Sequence, residues 1–306
     1  MTVGVTLDPA ATTIDDTVRL AREAHEVGLR SVWFGQAAGH DSPSLAAIVG
    51  REVPGLHVGT AAIPIFGRHP LLVAGQARTA QAATGGRYHL GLALGAPKLI
   101  EAGFGIRYER PIALLREFLT ALRQLTQDGS ADFHGELLTA TTPRPAAVPG
   151  AEPPVPLLVA AMAPQSLRAS GELADGIIPL LAGPRALAEH IVPAVTAAAE
   201  AAGRPAPRIV ACLPGVVTAD VEAVRENAVR TLAFYESIPS YQRVIGLSGA
   251  TRAADLAAVG DEETLAAEVR RYREAGATEV VVTATDLGDE ADRRRTWKLL
   301  GELADD

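Results

Sequence analysis

The sequence predicts a single (β/α)8 barrel domain of the α/β class over residues 1–306. Short apolar runs alternate with helical segments along the whole chain, and eight such runs can be counted. The runs are apolar throughout, which is typical of parallel strands buried on both faces. Eight strand–helix units in a chain of this length favour a closed barrel over a doubly wound sheet.

The first four units follow from the apolar runs and from capping signals. Thr13 precedes a segment with Asp15 and Asp16 in its first turn, as at many helix starts, and Gly28 ends that segment. The fourth helical segment is strongly amphipathic. The predicted strands are residues 2–7, 31–35, 55–65 and 88–95, and the predicted helices are residues 13–28, 41–53, 71–84 and 110–127.

The last four units continue the pattern after a predicted hairpin at residues 132–139. We interpret the proline-rich residues 143–156 and the irregular residues 236–260 as insertions into loops that follow barrel strands. The predicted strands are residues 156–161, 175–181, 208–217 and 278–285; the predicted helices are residues 164–174, 184–203, 220–236 and 261–276, with one more at the end.

Composition excludes several classes of protein. The net charge is −8 and the basic residues are scattered, which argues against a nucleic-acid-binding surface. No apolar run reaches the roughly 18 residues that span a bilayer. The chain has one cysteine and no secretory leader pattern, so we expect a cytoplasmic protein. Among the 28 basic residues only Lys98 and Lys298 are lysines, a bias that suggests a GC-rich, actinobacterial genome.

In a (β/α)8 barrel the active site lies at the C-terminal ends of the strands, so the residues after each strand are the informative ones. These positions contain no facing pair of carboxylates, no histidine cluster and no nucleophile beside a base. We therefore assign no catalytic residue and no metal site. A rim rich in alanine, glycine, leucine and isoleucine suits a flat cofactor that supplies the chemistry itself.

The histidines allow two interpretations each. His40 and Asp41 could serve acid–base chemistry or a metal, but we favour the alternative that Asp41 caps the next helix and His40 faces solvent. His57 and His89 lie within predicted strands, and we expect them to be satisfied in the core or at the N-terminal end of the barrel. His69 precedes a predicted helix, where a local hydrogen bond is expected.

The segment APQSLR (163–168) opens a helix directly after the fifth strand. Free backbone N–H groups at such a start can bind a phosphate, and the helix dipole favours this. The alternative is an ordinary helix start with Pro164 in the first turn. The sequence pattern alone leaves both open.

Several stretches together resemble the luciferase-like monooxygenase superfamily, and within it the coenzyme F420-dependent oxidoreductases of actinobacteria. The resemblance extends over most of the chain, and its parts are specific only in combination. The stretches are GLRSVWFGQ (28–36), the run from Gly55 to Gly95, ERPIALLREFLTAL (109–122), PLLVAAMAPQSLRASGELADGIIP (156–179) and VGDEETLAAEVRRYREAGATEVVV (259–282).

The resemblance implies a deazaflavin, or flavin mononucleotide (FMN), lying across the end of the barrel. A bulge with a non-proline cis peptide would back the central ring, the loop after strand four would follow the ring's edge, and the helix start after strand five would take the phosphate. Gly91, within strand four, is expected to serve packing alone. The implied cofactor-binding residues are Gln36, Ala61, Ala62, Gly95, Ala96, Ala161, Met162, Ala163, Pro164 and Gln165.

The chain also departs from the family pattern. Many relatives carry Asp-His after strand two, where this chain has Gln36 and Ala37, and polar groups after strand four, where it has Gly95-Ala96-Pro97. The protonating groups of those relatives are therefore missing, and their substrates cannot be transferred to this chain. The F420 tail is anionic, and only Lys98, Arg107 and Arg168 offer positive charge near the expected face.

Three hypotheses remain open from the sequence. The favoured one is hydride transfer between F420 and a small organic substrate. The others are an FMN-dependent monooxygenase and a barrel that binds a cofactor or ligand without catalysis. The resemblance also implies a homodimer.

Overall fold

The protein was analysed as a computed structural model that describes residues 2–8, 12–36 and 39–305. Its strands run in chain order from the N-terminus. They are β1 (Thr2–Leu7), β2 (Ser31–Phe34), β3 (His57–Thr60), β4 (Ile63–Pro64), β5 (Tyr88–Ala93), β6 (Asp132–His134), β7 (Thr139–Thr141), β8 (Leu157–Val159), β9 (Gly176–Ile177), β10 (Arg208–Val217), β11 (Ala258–Gly260) and β12 (Glu279–Thr283).

Eight of these strands form a closed parallel ring in the order β1, β2, β3, β5, β8, β9, β10, β12 and back to β1. The ring has the order of the chain, and the (β/α)8 prediction is confirmed. Two short strands extend it, β4 beside β5 and β11 beside β10. The predicted hairpin is also confirmed, as the antiparallel pair β6–β7.

The helices surround the ring and are α1 (Ile14–Glu26), α2 (Ser42–Glu52), α3 (Pro70–Ala83), α4 (Pro97–Phe104), α5 (Pro111–Gln127), α6 (Pro164–Leu173), α7 (Pro184–Ala186), α8 (Val192–Ala201), α9 (Val221–Glu236), α10 (Pro239–Leu247), α11 (Glu262–Glu274) and α12 (Glu290–Asp305). A π-helical segment (Leu187–Ile191) joins α7 to α8. None of the described helices is both long and apolar enough to cross a membrane.

Two predictions about connections need correction. Residues 143–156 lie between α5 and β8, so they connect a helix to the following strand at the N-terminal end of the barrel and do not follow a barrel strand. Residues 236–260 do follow β10, as predicted, and contain α10, a 3-10 helix (Ala253–Leu256) and β11. Helix α4 was not predicted, because it has only eight residues and Ile100 is the only one of them that is buried.

The barrel interior is filled by a cluster of apolar side chains, and glycines on neighbouring strands leave the space that these side chains occupy. Trp33 fills the middle of the barrel because Gly59 faces it; a Cβ at Gly59 would lie 2.5 Å from the indole. A Cβ at Gly91 would overlap the Thr60 carbonyl oxygen and approach Ile178 Cδ1 to 2.6 Å. The packing role predicted for Gly91 is confirmed.

A buried polar cluster lies at the N-terminal end of the barrel. Glu279 accepts hydrogen bonds from Ser31 Oγ at 2.6 Å, Trp33 Nε1 at 3.1 Å and Arg208 Nη2 at 3.1 Å. Arg208 also donates to His89 Nδ1 at 3.3 Å, so the proton of His89 is on Nε2, which lies 3.2 Å from His57 Nδ1. His57 and His89 are satisfied at this end of the barrel, as predicted.

Candidate functional site

The mouth, the end of the barrel at which the strands have their C-termini, has a floor of uncharged residues. Alternation along seven of the eight ring strands continues the inward-facing series of Gly4, Trp33, Gly59, Gly91, Leu158, Ile178 and Val281 by two residues, whereas on β10 Cys212 faces inward and the corresponding Pro214 is buried. Each residue of the resulting floor is at least partly exposed. The floor consists of Thr6, Gly35, Ala61, Ala93, Ala160, Leu180 and Thr283.

The floor is uncharged and consists mainly of small residues. None of its seven residues is charged, and only the two threonines carry polar side chains. Small side chains leave space above them, and a flat ring system can rest on such a surface with little displacement of protein atoms. The floor itself supplies no acid or base.

One side of the mouth is covered by residues 221–256, which we call the roof. The buried face of α9 consists of Val224, Ala228 and Leu232, and it packs on Leu181, Val216 and Leu287 from the ends of three neighbouring strand units. Asn227 Nδ2 donates to the Leu287 carbonyl oxygen at 2.8 Å. The roof therefore covers the β9, β10 and β12 side and, among the described residues, does not extend over the β2, β3, β5 and β8 side, which we call the open side.

Ala61 and Ala62 lie on the open side, directly after β3. Both are half-buried, and Ala61 packs against the interior cluster that contains Trp33. The peptide bond between them is cis, as the resemblance implies.

Gly95 and Ala96 follow β5 on the same side. Gly95 has φ of 77°, and a Cβ there would lie 2.9 Å from Ile100 Cδ1. The local backbone and the packing of α4 are thus sufficient reasons for a glycine at this position. Ala96 is the N-cap of α4 and provides no side-chain hydrogen bond. Contact of either residue with a ring edge stays a prediction.

Residues 161–165 form the passage from β8 into α6. Ala161 and Met162 are buried, Ala163 is half-buried, and Pro164 and Gln165 are exposed. The N-cap is Ala163, which has no side-chain acceptor, and the Ser166 hydroxyl donates to the Ala163 carbonyl oxygen at 2.9 Å. Within the described chain, no side chain caps the N–H groups of Gln165 and Ser166. These are the donors to which the sequence analysis assigned a phosphate as one of two alternatives, and that assignment stays a prediction.

Gln36 lies at the rim, but its amide holds the loop between β2 and α2. Oε1 accepts from Ser42 N at 3.0 Å, and Nε2 donates to the His40 carbonyl oxygen at 3.2 Å. Ser42 Oγ adds a bond of 2.7 Å to the Gly35 carbonyl oxygen. A ligand contact of Gln36 stays a prediction, and its neighbour Ala37 lies outside the described residues.

The other rim residues behave mostly as capping groups. Asp41 accepts from Ser44 N at 3.2 Å and caps α2, which confirms that prediction. His69 Nδ1 accepts from Leu71 N at 3.3 Å, the expected local hydrogen bond. The prediction that His40 faces solvent is wrong: it is half-buried, because its Nε2 bonds to the Thr12 carbonyl oxygen at 3.1 Å.

Two of the three cations that the sequence analysis named for the cofactor tail are paired with carboxylates. Arg168 Nε lies 2.8 Å from Glu172 Oε1, and Arg107 Nη1 lies 3.2 Å from Glu109 Oε1. Hydrogen bonds from Arg168 and Arg116 lower the pKa of Glu172. Lys98 is exposed at the start of α4. Positive charge at this rim therefore comes chiefly from the helix start itself.

Sequence reasoning missed the roof tyrosines. Tyr235 continues the inward face of α9, and its ring meets that of Tyr241 at 4.8 Å in an edge-to-face arrangement. Burial, with smaller contributions from the nearby Cys212 thiol and Asp8 carboxyl, raises the pKa of Tyr235. No strand-end signal marks these tyrosines; the spacing Val224, Ala228, Leu232, Tyr235 is the signal that could have identified them.

Two cavities outside the mouth are less suited to a cofactor. One of about 520 Å³ lies beside Arg185, Arg225 and Arg271, and one of about 320 Å³ lies at the N-terminal end of β8. In the larger cavity Arg271 pairs with Glu268 at 2.7 Å, and Arg185 pairs with Glu189 at 3.2 Å. Within the described ranges no group of three His, Cys, Asp or Glu side chains could hold a metal ion.

Comparisons with known proteins agree with this architecture. The luciferase-like monooxygenase family model matches residues 1–279. The putative coenzyme F420-dependent oxidoreductase Rv3520c of Mycobacterium tuberculosis is 27% identical over 54% of this chain, and the match spans 51% of that protein's length. Protein Rv1360 of the same organism is 32% identical over 77% of this chain and 71% of its own length.

Solved structures show the same fold. An F420-dependent secondary alcohol dehydrogenase in complex with an F420–acetone adduct has a TM-score of 0.85 at 17% identity, with 100% of this chain and 99% of that chain covered. The oxygenating constituent of 3,6-diketocamphane monooxygenase of Pseudomonas putida, in complex with FMN, has a TM-score of 0.78 at 18% identity, covering 99% and 97%. The chain belongs to the luciferase-like monooxygenase family, a family of enzymes.

Proposed function

We propose that the protein is an oxidoreductase that moves a hydride between coenzyme F420 and a small organic substrate. The observation that carries this proposal is the juxtaposition of an uncharged floor with the uncapped start of α6 on the open side of the mouth. A flat ring on the floor and a phosphate at Gln165 and Ser166 would satisfy both features at once. The relatives with F420 in their names support the choice of cofactor.

The residues present fit such a cofactor. Ala61, Ala93 and Ala160 leave room for the ring, and the N–H groups of Gln165 and Ser166 supply donors for a phosphate. When bound, the deazaflavin supplies hydride chemistry. The chain's own contribution is to orient the ring, to bind its phosphate and to exclude water from the mouth with the roof.

An FMN-dependent monooxygenase is the second candidate. FMN also has a flat three-ring system and a phosphate, and a structural neighbour with an FMN complex favours it. A barrel that binds a ligand without catalysis is the third candidate, and the uncharged floor supports it. The homodimer and the cytoplasmic location also remain proposals; light scattering of the purified protein and cell fractionation would test them.

A fluorescence titration of the purified protein with F420 and with FMN separates the candidates. We expect F420 to bind more tightly than FMN, and each to bind more tightly than its counterpart without phosphate, which is riboflavin in the case of FMN. Equal binding of FMN and riboflavin would argue against phosphate recognition at α6. Failure of both cofactors to bind below about millimolar concentration, which is only about −4 kcal/mol, would refute the enzyme candidates.

A further inference from the structure

The larger of the two cavities outside the mouth, with a volume of about 520 Å³, is lined by one arginine from each of three helices. Arg185 belongs to α7, Arg225 to α9 and Arg271 to α11. The three residues are far apart in sequence, so the fold alone brings them to one cavity. Guanidinium groups bind carboxylates and phosphates, and this cavity, which we call the arginine cavity, therefore suits an anion better than an apolar ring.

The arginines keep donors for a ligand. Arg225 is exposed and forms neither an ion pair nor a hydrogen bond with any residue that the structure describes. Arg185 and Arg271 are also exposed, and they pair with Glu189 and Glu268, three or four residues away along the chain. An exposed pair of this kind contributes at most about 1 kcal/mol and uses few of the five N–H donors of a guanidinium group.

The carboxylates of the lining are already engaged. Asp255 Oδ2 accepts from Thr251 N at 3.0 Å and from Arg252 N at 2.8 Å, and Glu268 pairs with Arg271. The lining residues include three arginines and these two acids, so their net charge is +1, three positive minus two negative. The arginine cavity is thus positive in a chain whose net charge is −8.

The arginine cavity lies one barrel unit away from the start of α6. Strands β8 and β9 pair side by side, α6 begins at Pro164 after β8, and α7 begins at Pro184 after β9. Both helices therefore begin at the mouth end of the barrel, and α6 packs against α8, which continues from α7. Packed helices are about 8–10 Å apart. An extended chain covers that distance in about three residues.

We propose that Arg185, Arg225 and Arg271 bind the anionic tail of F420. Beyond its phosphate F420 continues into a chain of glutamates, each with a carboxylate, and the arginine cavity is the positive site next to the phosphate position at α6. This inference rests on the proposed function, because the tail is attached to that phosphate. It gives the chain a reason to prefer F420 over FMN, which has no such tail.

Fluorescence titrations with three cofactors test the inference: F420 with its glutamates, a form of F420 that keeps the phosphate but lacks the glutamates, and FMN. Arg225→Gln should weaken binding of complete F420 about three- to fivefold and leave the affinities for the other two unchanged. Arg225→Lys keeps the charge and should weaken binding less than about twofold. Arg230→Gln, the same change at an exposed arginine of α9 outside the cavity lining, is the matched control.

Two further measurements make the effect larger. Replacing Arg185, Arg225 and Arg271 together by glutamine should weaken binding of complete F420 at least about tenfold, again without an effect on FMN. In the wild type, the affinity for complete F420 should fall more steeply with added salt than the affinity for the form without glutamates, because salt screens exposed charges. An unchanged melting temperature in each variant excludes misfolding as the cause.

Failure of the tail site can be distinguished from failure of the proposed function. If none of the three cofactors binds the wild type, the proposed function fails and the tail site fails with it. If F420 binds but its glutamates add no affinity, or the triple variant binds complete F420 as tightly as the wild type does, the tail site alone is overturned. Equal losses in Arg225→Gln and Arg230→Gln would also overturn it, because they would show a general charge effect.

Discussion

Gly91 and Gly95 stand four residues apart and serve different purposes. Gly91 lies inside the barrel, where a Cβ would overlap the Thr60 carbonyl oxygen, a backbone atom held in β3. Gly95 has a positive φ and meets only the flexible end of Ile100. The first glycine is required by the fold and the second by the local backbone, so neither is direct evidence of a ligand.

Gly91→Ala is expected to destabilise the protein by about 1–3 kcal/mol, because an inserted methyl group must displace backbone in a filled interior. Urea unfolding monitored by circular dichroism would measure the loss. Gly75→Ala, at an exposed position of α3 with no atom within 4 Å of the added Cβ, is the control and should stabilise by about 0.5–1 kcal/mol. Equal effects of the two substitutions would contradict the packing argument.

At the residue scale the sequence predicted roles more readily than contacts. The capping role of Asp41 and the hydrogen bond of His69 follow from local spacing, and both were predicted correctly. The partner of His40 is Thr12, which is 28 residues away and belongs to the loop after β1. Such a contact depends on the tertiary arrangement of two loops, and no local pattern in the sequence encodes it.

Helix α6 is the element on which the cofactor proposal depends. Its N-cap is Ala163, which gives no side-chain cap, as is also the case in α4, α5, α7, α8 and α10, whereas α1, α2, α9 and α11 carry Thr13, Asp41, Asp220 and Asp261 as side-chain caps. An alanine at an N-cap leaves N–H groups without a side-chain partner. A helix with such an N-cap is usually less stable by about 1 kcal/mol than one with a capping residue. A bound phosphate would compensate for that loss.

Substitution at Ala163 tests this element. Both Ala163→Asp and Ala163→Asn should cap α6 and stabilise the protein without cofactor by about 0.5–2 kcal/mol. Both should weaken cofactor binding, and the aspartate should do so at least about tenfold more, since its charge repels a phosphate. The two side chains have the same shape, so the asparagine variant is the control. Unchanged cofactor affinity in both variants would show that the cofactor phosphate does not bind at the start of α6.

Elements with a strong local signal were predicted well, and elements stabilised by distant neighbours were not. The ring strands and the capped helices were identified from apolar runs and capping residues. Strand β11 was missed because it has three residues and exists through its pairing with β10. The proline-rich segment 143–156 was placed at the wrong end, because composition marks a loop without showing which end of the barrel it occupies.

At the scale of the whole molecule, the two ends of the barrel have opposite character. The N-terminal end is closed by the hydrogen-bonded cluster of Glu279, Arg208, His89 and His57, whereas the floor of the C-terminal end is uncharged. Burial lowers the pKa of His89 and of His57, and the nearby guanidinium groups of Arg208 and, for His57, Arg87 lower it further. The cluster therefore fixes a pH below which the barrel loses stability.

The sign of the effect follows from proton binding. The unfolded chain takes up protons on these histidines near their ordinary value of 6.5, while the folded state resists protonation. The stabilisation is fully present above pH 6.5. It falls as the pH is lowered toward the folded-state pKa values, by about 1.4 kcal/mol per pH unit for each histidine. Melts at pH 7, 6 and 5 should show this decline above the range in which carboxylates titrate.

His57→Asn should make the decline between pH 7 and pH 5 shallower. His134→Asn, in the exposed hairpin, should leave the decline as it is in the wild type and serves as the control. The comparison uses slopes rather than absolute stabilities, so a general loss of stability in His57→Asn does not affect it. An unchanged slope in that variant would show that His57 does not contribute.

The roof connects two paired strands, because the chain enters it after β10 and leaves it into β11. Val217 at the end of β10 is in register with Gly260 of β11, so the chain leaves the barrel and returns beside the place it left. A detour with adjacent ends can be lengthened, shortened or exchanged in evolution without moving a barrel strand. The covered side of the mouth can thus change by replacement of this one segment, while the strands of the ring and the start of α6 keep their positions.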